Sequence, residues 1–473
     1  MLGSIPEASI LVPIALFTWP LVLGALFMAM PSRRAVISGF IGAWLFLPVA
    51  EYQFAGFPEY NKMTATSASV FIMTLLFDPN RVMSFRPKWI DLPMVALILC
   101  PMASSLSNEL GPYDGMSECN GQLIRWGLPY FIGRIYFNDV RSMRELAIGV
   151  FIGGLIYMPF CWFEMRMSPQ LHRIVYGFMQ HGFMQTIRYG GYRPMVFLQH
   201  GLMVGMWMAT ATLCGLALWR TGSLRQVRGI SIAPLIAMLF VTTFMCRSTG
   251  AILLMFVGFG LLFAVKYLRT SLALHAVAGI VVVYIAFRAI GLWSGDRLVD
   301  FTDRVFGNER ASSVETRVYN EEMLTAKARQ QVLFGWGGWG RSRIFSDSGQ
   351  DISVTDSQWV ITFGTNGAVG LTALLTAMLL PPLALGWRIP VRYWPHPLVS
   401  ATGTLAVVVV LWMADNTMNA MFNPIYIVIT GGLAAMQPLT QADFTPIVVR
   451  RIRPQPFVPR RKRHKPAAAR IRG

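Results

Sequence analysis

Arginines in two polar segments have the clearest capacity for chemistry in this chain. The first segment, residues 164–193, contains a single acid and an excess of basic and imidazole side chains. These are Arg166, His172, Arg173, His181, Arg188 and Arg193. A guanidinium group pairs bidentately with phosphate oxygens, so arginines at a membrane surface suit a phosphate or diphosphate ligand. The alternative is that they extend toward lipid headgroups. For Arg193, directly before an apolar run, we favour binding.

The second segment, residues 294–353, mixes acids with bases. Its bases are Arg297, Arg304, Arg310, Arg317, Lys327, Arg329, Arg341 and Arg343. A connection of this length between membrane helices is usually functional or disordered. Within residues 312–334, apolar side chains recur at helical spacing with charges between them. This pattern predicts an amphipathic helix at the membrane interface.

A glycine- and tryptophan-rich run, FGWGGWG at residues 334–340, follows that predicted helix. Glycines permit tight backbone turns, and tryptophans favour the bilayer interface. The run is therefore either a structural re-entry turn or the rim of a site for the head group of an amphiphilic substrate. In the second case Trp336, Trp339 and the nearby Arg341 are candidate substrate-binding residues.

The composition identifies the elements that must position these residues. The 473-residue chain is 54% hydrophobic and only 14% charged, whereas an ordinary soluble domain carries about 25% charged residues. A water-soluble globule is therefore excluded. A membrane crossing requires about 20 apolar residues, and thirteen apolar runs are candidate helices. They cover residues 10–30, 35–50, 64–77, 92–106, 122–137, 146–163, 194–219, 230–246, 250–265, 271–292, 354–385, 398–413 and 421–436.

Basic residues occur in alternate connections between these runs, which predicts the orientation of the chain. We expect an all-α, polytopic membrane helix bundle of about 12–13 transmembrane helices in a bacterial inner (plasma) membrane. Its C-terminus would be cytoplasmic, with segments 164–193 and 294–353 on the outer face. The helical domain would cover residues 1–445. Residues 446–473, with ten bases and no acid, would form a disordered cytoplasmic tail beside anionic lipids rather than a nucleic-acid-binding arm.

The cysteines and histidines form no metal-binding motif. Four of the five cysteines lie in or beside apolar runs, where cysteine behaves as a small hydrophobic residue. There is no CxxC pair, so the sequence predicts neither a disulfide framework nor a zinc site. His200 lies within an apolar run, and we expect it to be a packed polar residue.

The motifs taken together resemble those of the O-antigen ligase/polymerase superfamily. Arg317 opens a helix that leads into LFGWG at 333–337, and this is followed by Asp356-Ser357 and by GAVG at 367–370. The ligase motif of the family is His, then Asn, Ser or Gln, nine residues, Gly, two residues, and Gly, Thr or Tyr. Here Ser357 is followed after nine residues by Gly367, and Asp356 stands where the histidine would be. Arg193-Pro194 and the RSTGA turn at 247–251 are similar to two further family motifs.

This resemblance implies a membrane glycosyltransferase of the GT-C-like kind. Its donor would be a polyprenyl-diphosphate-linked glycan on the outer face of the membrane, with no metal, no cofactor and no nucleotide sugar. Arg193 and Arg317, supported by Arg188, would stabilise the charge on the leaving diphosphate. The remaining candidate substrate-binding residues are Arg247, Trp336, Trp339, Arg341 and Gly367.

Asp356 would act on the acceptor hydroxyl as a base or as an orienting group. An ordinary Asp, with a pKa of about 3.9, is a poor base near neutrality unless burial raises that value. The alternative is that Asp356 only caps the helix that follows. Because the ligase assignment depends on a histidine here, the aspartate favours the polymerase branch of the family.

Three functions follow as hypotheses. The first is a polymerase that joins lipid-linked repeat units into an exopolysaccharide or O-antigen-type chain. The second is a ligase that transfers a finished glycan to another acceptor, and the third is a transporter or flippase. The expected partners are the lipid-linked glycan, membrane lipids, a flippase and a chain-length regulator, and not nucleic acid. Charges gathered in two segments on one side favour a surface site over a midplane transport pathway.

Overall fold

The computed structural model describes residues 8–54, 58–338, 340–439 and 441–444. This part of the chain is mostly helical. The helices are α1 (Leu11–Ala29), α2 (Ser32–Phe46), α3 (Lys62–Phe77), α4 (Pro79–Met83), α5 (Leu92–Ser107), α6 (Pro112–Gln122), α7 (Leu128–Tyr136), α8 (Val140–Met167), α9 (Leu171–Tyr176), α10 (Gly201–Arg220), α11 (Ile232–Met245), α12 (Thr249–Phe263), α13 (Leu272–Ile290), α14 (Asp296–Phe306), α15 (Asn308–Ala328), α16 (Gln358–Arg388), α17 (Ser400–Asp415) and α18 (Pro424–Ala435).

Short strands form three antiparallel hairpins in the connections between helices. The strand pairs are β1 (Glu51–Tyr52) with β2 (Tyr60–Asn61), β3 (Ile187–Arg188) with β4 (Gly191–Tyr192), and β5 (Gln226–Val227) with β6 (Ile230–Ser231). The helices belong to one compact unit that ends at Pro438. The predicted basic tail, 446–473, lies outside the described residues.

Seven helices among the described residues are long and apolar enough to cross a membrane. They are Leu11–Ala29, Trp89–Ser107, Val140–Met167, Gly201–Arg220, Thr249–Leu268, Leu272–Ile290 and Gln358–Arg388. The other predicted apolar runs also coincide with helices, but these are shorter, such as α17 and α18. The apolar pattern therefore located the helices correctly, although several helices are shorter than a perpendicular span.

The shortest apolar helices lie inside the bundle. α17 and α18 are buried along almost their whole length. Paired glycines bring α18 against α7: a Cβ on Gly133 would lie 2.1 Å from the Val428 carbonyl oxygen, and one on Gly431 would lie 2.1 Å from that of Tyr130. Small residues allow this close approach of helix backbones in membranes. These short helices thus contact protein along their length.

The predicted amphipathic helix at 312–334 is present as α15, Asn308–Ala328, which begins and ends earlier than its apolar pattern indicated. A further helix, α14, precedes it and was not predicted. The buried face of α15 includes Val318 and Leu324, which pack with α13 and α16. α15 is thereby held against the bundle and can position the charged residues on its other faces.

α16 is interrupted at Gly367, whose φ of 63° and ψ of −164° are not helical. The Gly/Trp run crosses this interruption and satisfies its backbone groups. The amides of Trp336 and Gly337 donate to the carbonyls of Gly364 and Thr365, at 2.8 and 2.9 Å. In the other direction, the amides of Ala368 and Val369, which follow the break, donate to the carbonyls of residues 332 and 333. Backbone groups freed within an apolar bundle require such partners.

Candidate functional site

The connection between α8 and α10 is fixed by a buried carboxylate. Glu164, in the last turns of α8, accepts hydrogen bonds from the backbone amides of Leu171, Met195 and Val196 at 2.9, 2.8 and 2.7 Å. These amides lie at the two ends of the connection, so one side chain ties both ends to α8. Residues 164–167, predicted to open a loop, belong to this helix. The position of the neighbouring Arg193 is set by this anchor.

Arg193 and Arg247 lock the β3–β4 hairpin onto the turn between α11 and α12. The Arg193 guanidinium, with 3% of the residue exposed, donates to the Arg247 carbonyl at 2.9 Å. Arg247 in turn donates to the Arg188 carbonyl at 2.6 Å. A Cβ on Gly191 would lie 2.2 Å from the Arg247 guanidinium, so a larger residue there would displace that side chain. Arg247 was predicted to bind substrate, but in the structure its guanidinium N–H groups donate to backbone carbonyls.

His200 lies where the predicted arginines converge. It is the N-cap of α10, and its Nδ1 accepts the Leu202 amide at 3.0 Å. Burial, together with the positive charges of Arg193, Arg317 and Arg188 and the neighbouring His181, lowers the pKa of His200 to about 3. His200 is therefore neutral near pH 7. Because Nδ1 is an acceptor, the ring proton resides on Nε2, which is a donor.

Arg317 brings two carboxylates to the same place. Its Nε lies 3.8 Å from Oδ2 of Asp356, and these side chains are 25% and 40% exposed. Its charge also acts on Asp415, at the end of α17. Asp356 precedes Ser357, the N-cap residue of α16, and pairs with Arg317 instead of capping the helix. We refer to Arg188, Arg193, Arg317, His200, Asp356 and Asp415 as the arginine cluster.

Asp415 and its neighbours contribute buried acceptors to the cluster. Asp415 Oδ1 accepts from Asn419 at 2.9 Å. Asp415 Oδ2 and the side-chain oxygens of Asn416 and Asn419 are buried, and none has a hydrogen-bond partner within the described part of the chain. Buried acceptors without donors suit a ligand rich in hydroxyl groups.

A buried ion pair holds α15, and with it Arg317, against the bundle. Arg288 of α13 is fully buried and contacts Glu321 at 3.4 Å and Glu322 at 3.0 Å. Glu321 also accepts from the Ser357 hydroxyl at 2.6 Å. Burial raises the pKa of Glu321. Because Ser357 adjoins Asp356, the same carboxylate fixes both members of the Arg317–Asp356 pair.

Arg341 belongs to a second polar group beside α6. Its guanidinium contacts Asp114 at 2.8 Å and the Trp336 carbonyl at 3.4 Å. Glu118 approaches the same turn, where a Cβ on Gly338 would lie 2.2 Å from its carboxylate. Burial, followed by the negative charge of Asp114, raises the pKa of Glu118. Within the described residues, no hydrogen bond or ion pair joins Arg341 to the arginine cluster.

The structure thus brings together Arg188, Arg193, Arg317 and Asp356, with Arg247 behind them, and separates them from the other predicted site residues. Trp336 caps the α16 break, and its indole donates to the Lys327 carbonyl at 3.0 Å. Gly367 forms that break. Trp339 lies outside the described residues.

Three members of the site were missed in the sequence. His200 was expected only to pack, yet it sits among three arginines. Asp415 was not singled out, and Glu321 was one of many charges in the second polar segment. A signal existed for Glu321 alone: the deep Arg288 required an acidic partner, because charges buried in a bundle are paired.

No group of three or more His, Cys, Asp or Glu side chains in the described ranges is placed to hold a metal ion. Comparison with protein-family models and with curated proteins gives no match for this chain.

Proposed function

We propose that this chain is a membrane glycosyltransferase that joins polyprenyl-diphosphate-linked oligosaccharide repeat units into an exopolysaccharide or O-antigen-type chain. In this proposal it crosses a bacterial plasma membrane 12–13 times, with its C-terminus in the cytoplasm. The arginine cluster then faces the outside. The observation that carries the proposal is that Arg193, Arg317 and Arg188 surround a neutral histidine, while Arg317 also faces two carboxylates, Asp356 and Asp415.

The charge of the cluster matches the charge that develops in this reaction. The acceptor hydroxyl oxygen attacks the anomeric carbon of the donor glycan, and the bond from that carbon to the diphosphate oxygen breaks. The bonding electrons leave with the diphosphate, whose negative charge increases. Arginines held in place before the reaction stabilise that charge without reorganisation. The hydroxyl proton passes to a carboxylate of the cluster.

Exposure divides the arginines into two roles. Arg317, with a quarter of its side chain exposed, can contact the diphosphate directly. Arg193 is buried and already donates to a carbonyl, so it supplies a fixed positive charge from behind. His200 donates through Nε2–H and is suited to a phosphate or sugar oxygen. It is not a base, because its free nitrogen carries the proton.

Two carboxylates are candidates for the base. Asp356 is accessible, and its carboxylate is engaged with the Arg317 guanidinium at 3.8 Å. Asp415 is buried, with an oxygen that lacks a protein donor among the described residues, and burial favours proton uptake by a carboxylate. We therefore assign proton acceptance to Asp415 and orientation of Arg317 to Asp356.

The position of the cluster favours a transferase over a transporter. His200 and Asp415 lie at the ends of α10 and α17, whereas the ionisable groups of secondary transporters lie near the bilayer midplane. The ligase alternative shares the same chemistry and differs in its acceptor.

Deletion of the gene, followed by profiling of surface glycans, tests the proposal. Loss of polymer with single repeat units retained supports a polymerase, and full-length polymer left on the lipid carrier supports a ligase. Unchanged glycans would reject both. In the deleted strain, Arg317→Ala should fail to restore polymer, with a loss of about 10²–10³ in rate. The matched control is Arg304→Ala, an exposed arginine of α14, which should restore it at equal protein level.

A further inference from the structure

A cavity lies at the opposite end of α10 and α17 from the arginine cluster. It is bounded by the end of α10, the end of α12 and the start of α17. Two cations, Arg220 and Lys266, stand at its mouth, and no residue in its described lining is acidic. Trp394 forms part of the wall and rests on Gly403, where a Cβ would lie 3.0 Å from the indole ring.

The two cations converge on one side chain without an acidic partner. Arg220 donates to the Tyr267 hydroxyl at 3.4 Å, and the Lys266 ammonium lies 5.0 Å from the centre of the same ring. Neither cation forms an ion pair with an acid in the described part of the chain. Two neighbouring positive charges repel each other, and a bound anion would remove that repulsion.

The local backbone widens α12 at this point. Residues Ala264–Leu268 form a π-helical turn, and Arg269 follows in the left-handed conformation, with φ of 52°. π-Helical turns inserted in α-helices occur frequently at functional sites. The wider turn directs Lys266 toward the cavity that it shares with Arg220.

Exposed apolar side chains lie close in sequence to the two cations of the cavity. Trp219, Phe263 and Leu268 are 47%, 54% and 66% exposed, respectively. They flank the two cations in sequence, one residue before Arg220 and a few residues from Lys266. A ligand that satisfies this surface has an anionic group for the cavity and hydrocarbon for the flanking residues.

We propose that this cavity binds the phosphate of an anionic phospholipid, with Arg220 and Lys266 as the phosphate-binding residues and Trp219, Phe263 and Leu268 in contact with the acyl chains. Basic pockets between membrane helices on the cytoplasmic side bind such headgroups. A lipid phosphate would also bridge α10 to α12. His200 is the N-cap residue at the other end of α10, so bound lipid would stabilise the helix next to the arginine cluster.

Thermal unfolding of the purified full chain in a neutral detergent tests the site. Added phosphatidylglycerol should raise the unfolding midpoint more than phosphatidylcholine does. Arg220→Gln and Lys266→Gln should each weaken the apparent affinity for phosphatidylglycerol about fivefold, from the contribution of one basic residue near an anionic lipid. The matched control is Arg225→Gln, which removes an exposed arginine from the same end of the bundle but outside the cavity.

Three results would overturn the proposal. One is equal stabilisation by the two lipids, and the second is an unchanged response of both cavity variants. The third is a full shift with inorganic phosphate alone, which would identify a free-anion site. Native mass spectrometry of the wild-type chain needs no variant: phosphatidylglycerol should stay bound at collision energies that remove phosphatidylcholine, and equal loss of both would also reject the site.

Discussion

Gly367→Ala tests why residue 367 is glycine. We argue that only glycine permits the close contact between the backbone of the Gly/Trp run and that of α16. The φ and ψ of Gly367, 63° and −164°, lie in a region that is essentially restricted to glycine, and another residue there costs about 1–3 kcal/mol. A Cβ would also lie 2.3 Å from the Leu333 carbonyl oxygen and 2.5 Å from the Phe334 amide nitrogen. These are backbone atoms, which cannot rotate away as a side chain can.

Relief of this contact would separate the two segments and break hydrogen bonds between them. Ala368 donates to the Val332 carbonyl at 2.7 Å, and Val369 donates to that of Leu333 at 3.2 Å. Each buried group left without a partner costs about 1–3 kcal/mol. Loss of one of these hydrogen bonds, added to the conformational cost of about 1–3 kcal/mol, should lower the free energy of unfolding of Gly367→Ala by about 2–6 kcal/mol.

The measurement is an unfolding titration of the purified chain in mixed micelles. Gly279→Ala is the control, because Gly279 lies inside α13 with no heavy atom within 4 Å of an added Cβ. Alanine there should stabilise the helix by about 0.5–1 kcal/mol, so the two substitutions should act in opposite directions. Wild-type stability in Gly367→Ala would refute the packing argument, and stable protein without activity would favour the substrate-binding role predicted from the sequence.

Three further predictions concern the ion pair, the histidines and the topology. Glu321→Gln should lower the free energy of unfolding by about 1.5–3 kcal/mol in the same titration, because Arg288 loses its buried carboxylate and keeps only the half-exposed Glu322. The pKa of His200 is lower in the folded chain than in the unfolded chain. As the pH falls, His200 therefore takes up a proton in the unfolded chain before it does so in the folded chain. Stability should therefore fall below about pH 6.5, by about 2 kcal/mol at pH 5. His200→Asn, which keeps a capping acceptor, should reduce that slope, with a remainder from His172, whose pKa is lowered to about 4 by burial. Ser348→Cys, at an exposed position, should react with an impermeant maleimide from outside the cell, over a low background because the native cysteines are buried. Labelling only after lysis would place the cluster on the cytoplasmic side.

The helices were predictable because their signal is local. A run of apolar residues must be removed from water wherever it occurs in a fold, so all thirteen runs coincide with helices. The boundaries were less predictable. α10 was expected to begin at Pro194 but begins at Gly201, because residues 194–200 are held by Glu164 and other side chains distant in sequence.

The arginine cluster was predictable in part. Arg193 and Arg317 were identified as suited to a diphosphate and Asp356 as a group for the acceptor hydroxyl, and Arg317 does lie beside Asp356 and near Arg193. The sequence does not distinguish an arginine whose donors hold a hairpin from one that faces solvent, because both are polar residues in a connection. Arg247 and Arg341 were therefore grouped with the cluster, although Arg247 binds backbone carbonyls and Arg341 pairs with Asp114.

The sequence alone determined that the chain is apolar and helical and that its two long polar connections carry several arginines. These properties follow from composition and from short-range periodicity, which require no knowledge of the fold. The tertiary structure decided which of those arginines share a site. His200 and Asp415 joined Arg193 and Arg317 because the start of α10 and the end of α17 lie near the middle of α15. Contacts between residues so far apart along the chain are fixed by helix packing, and a single sequence carries no local signal for them.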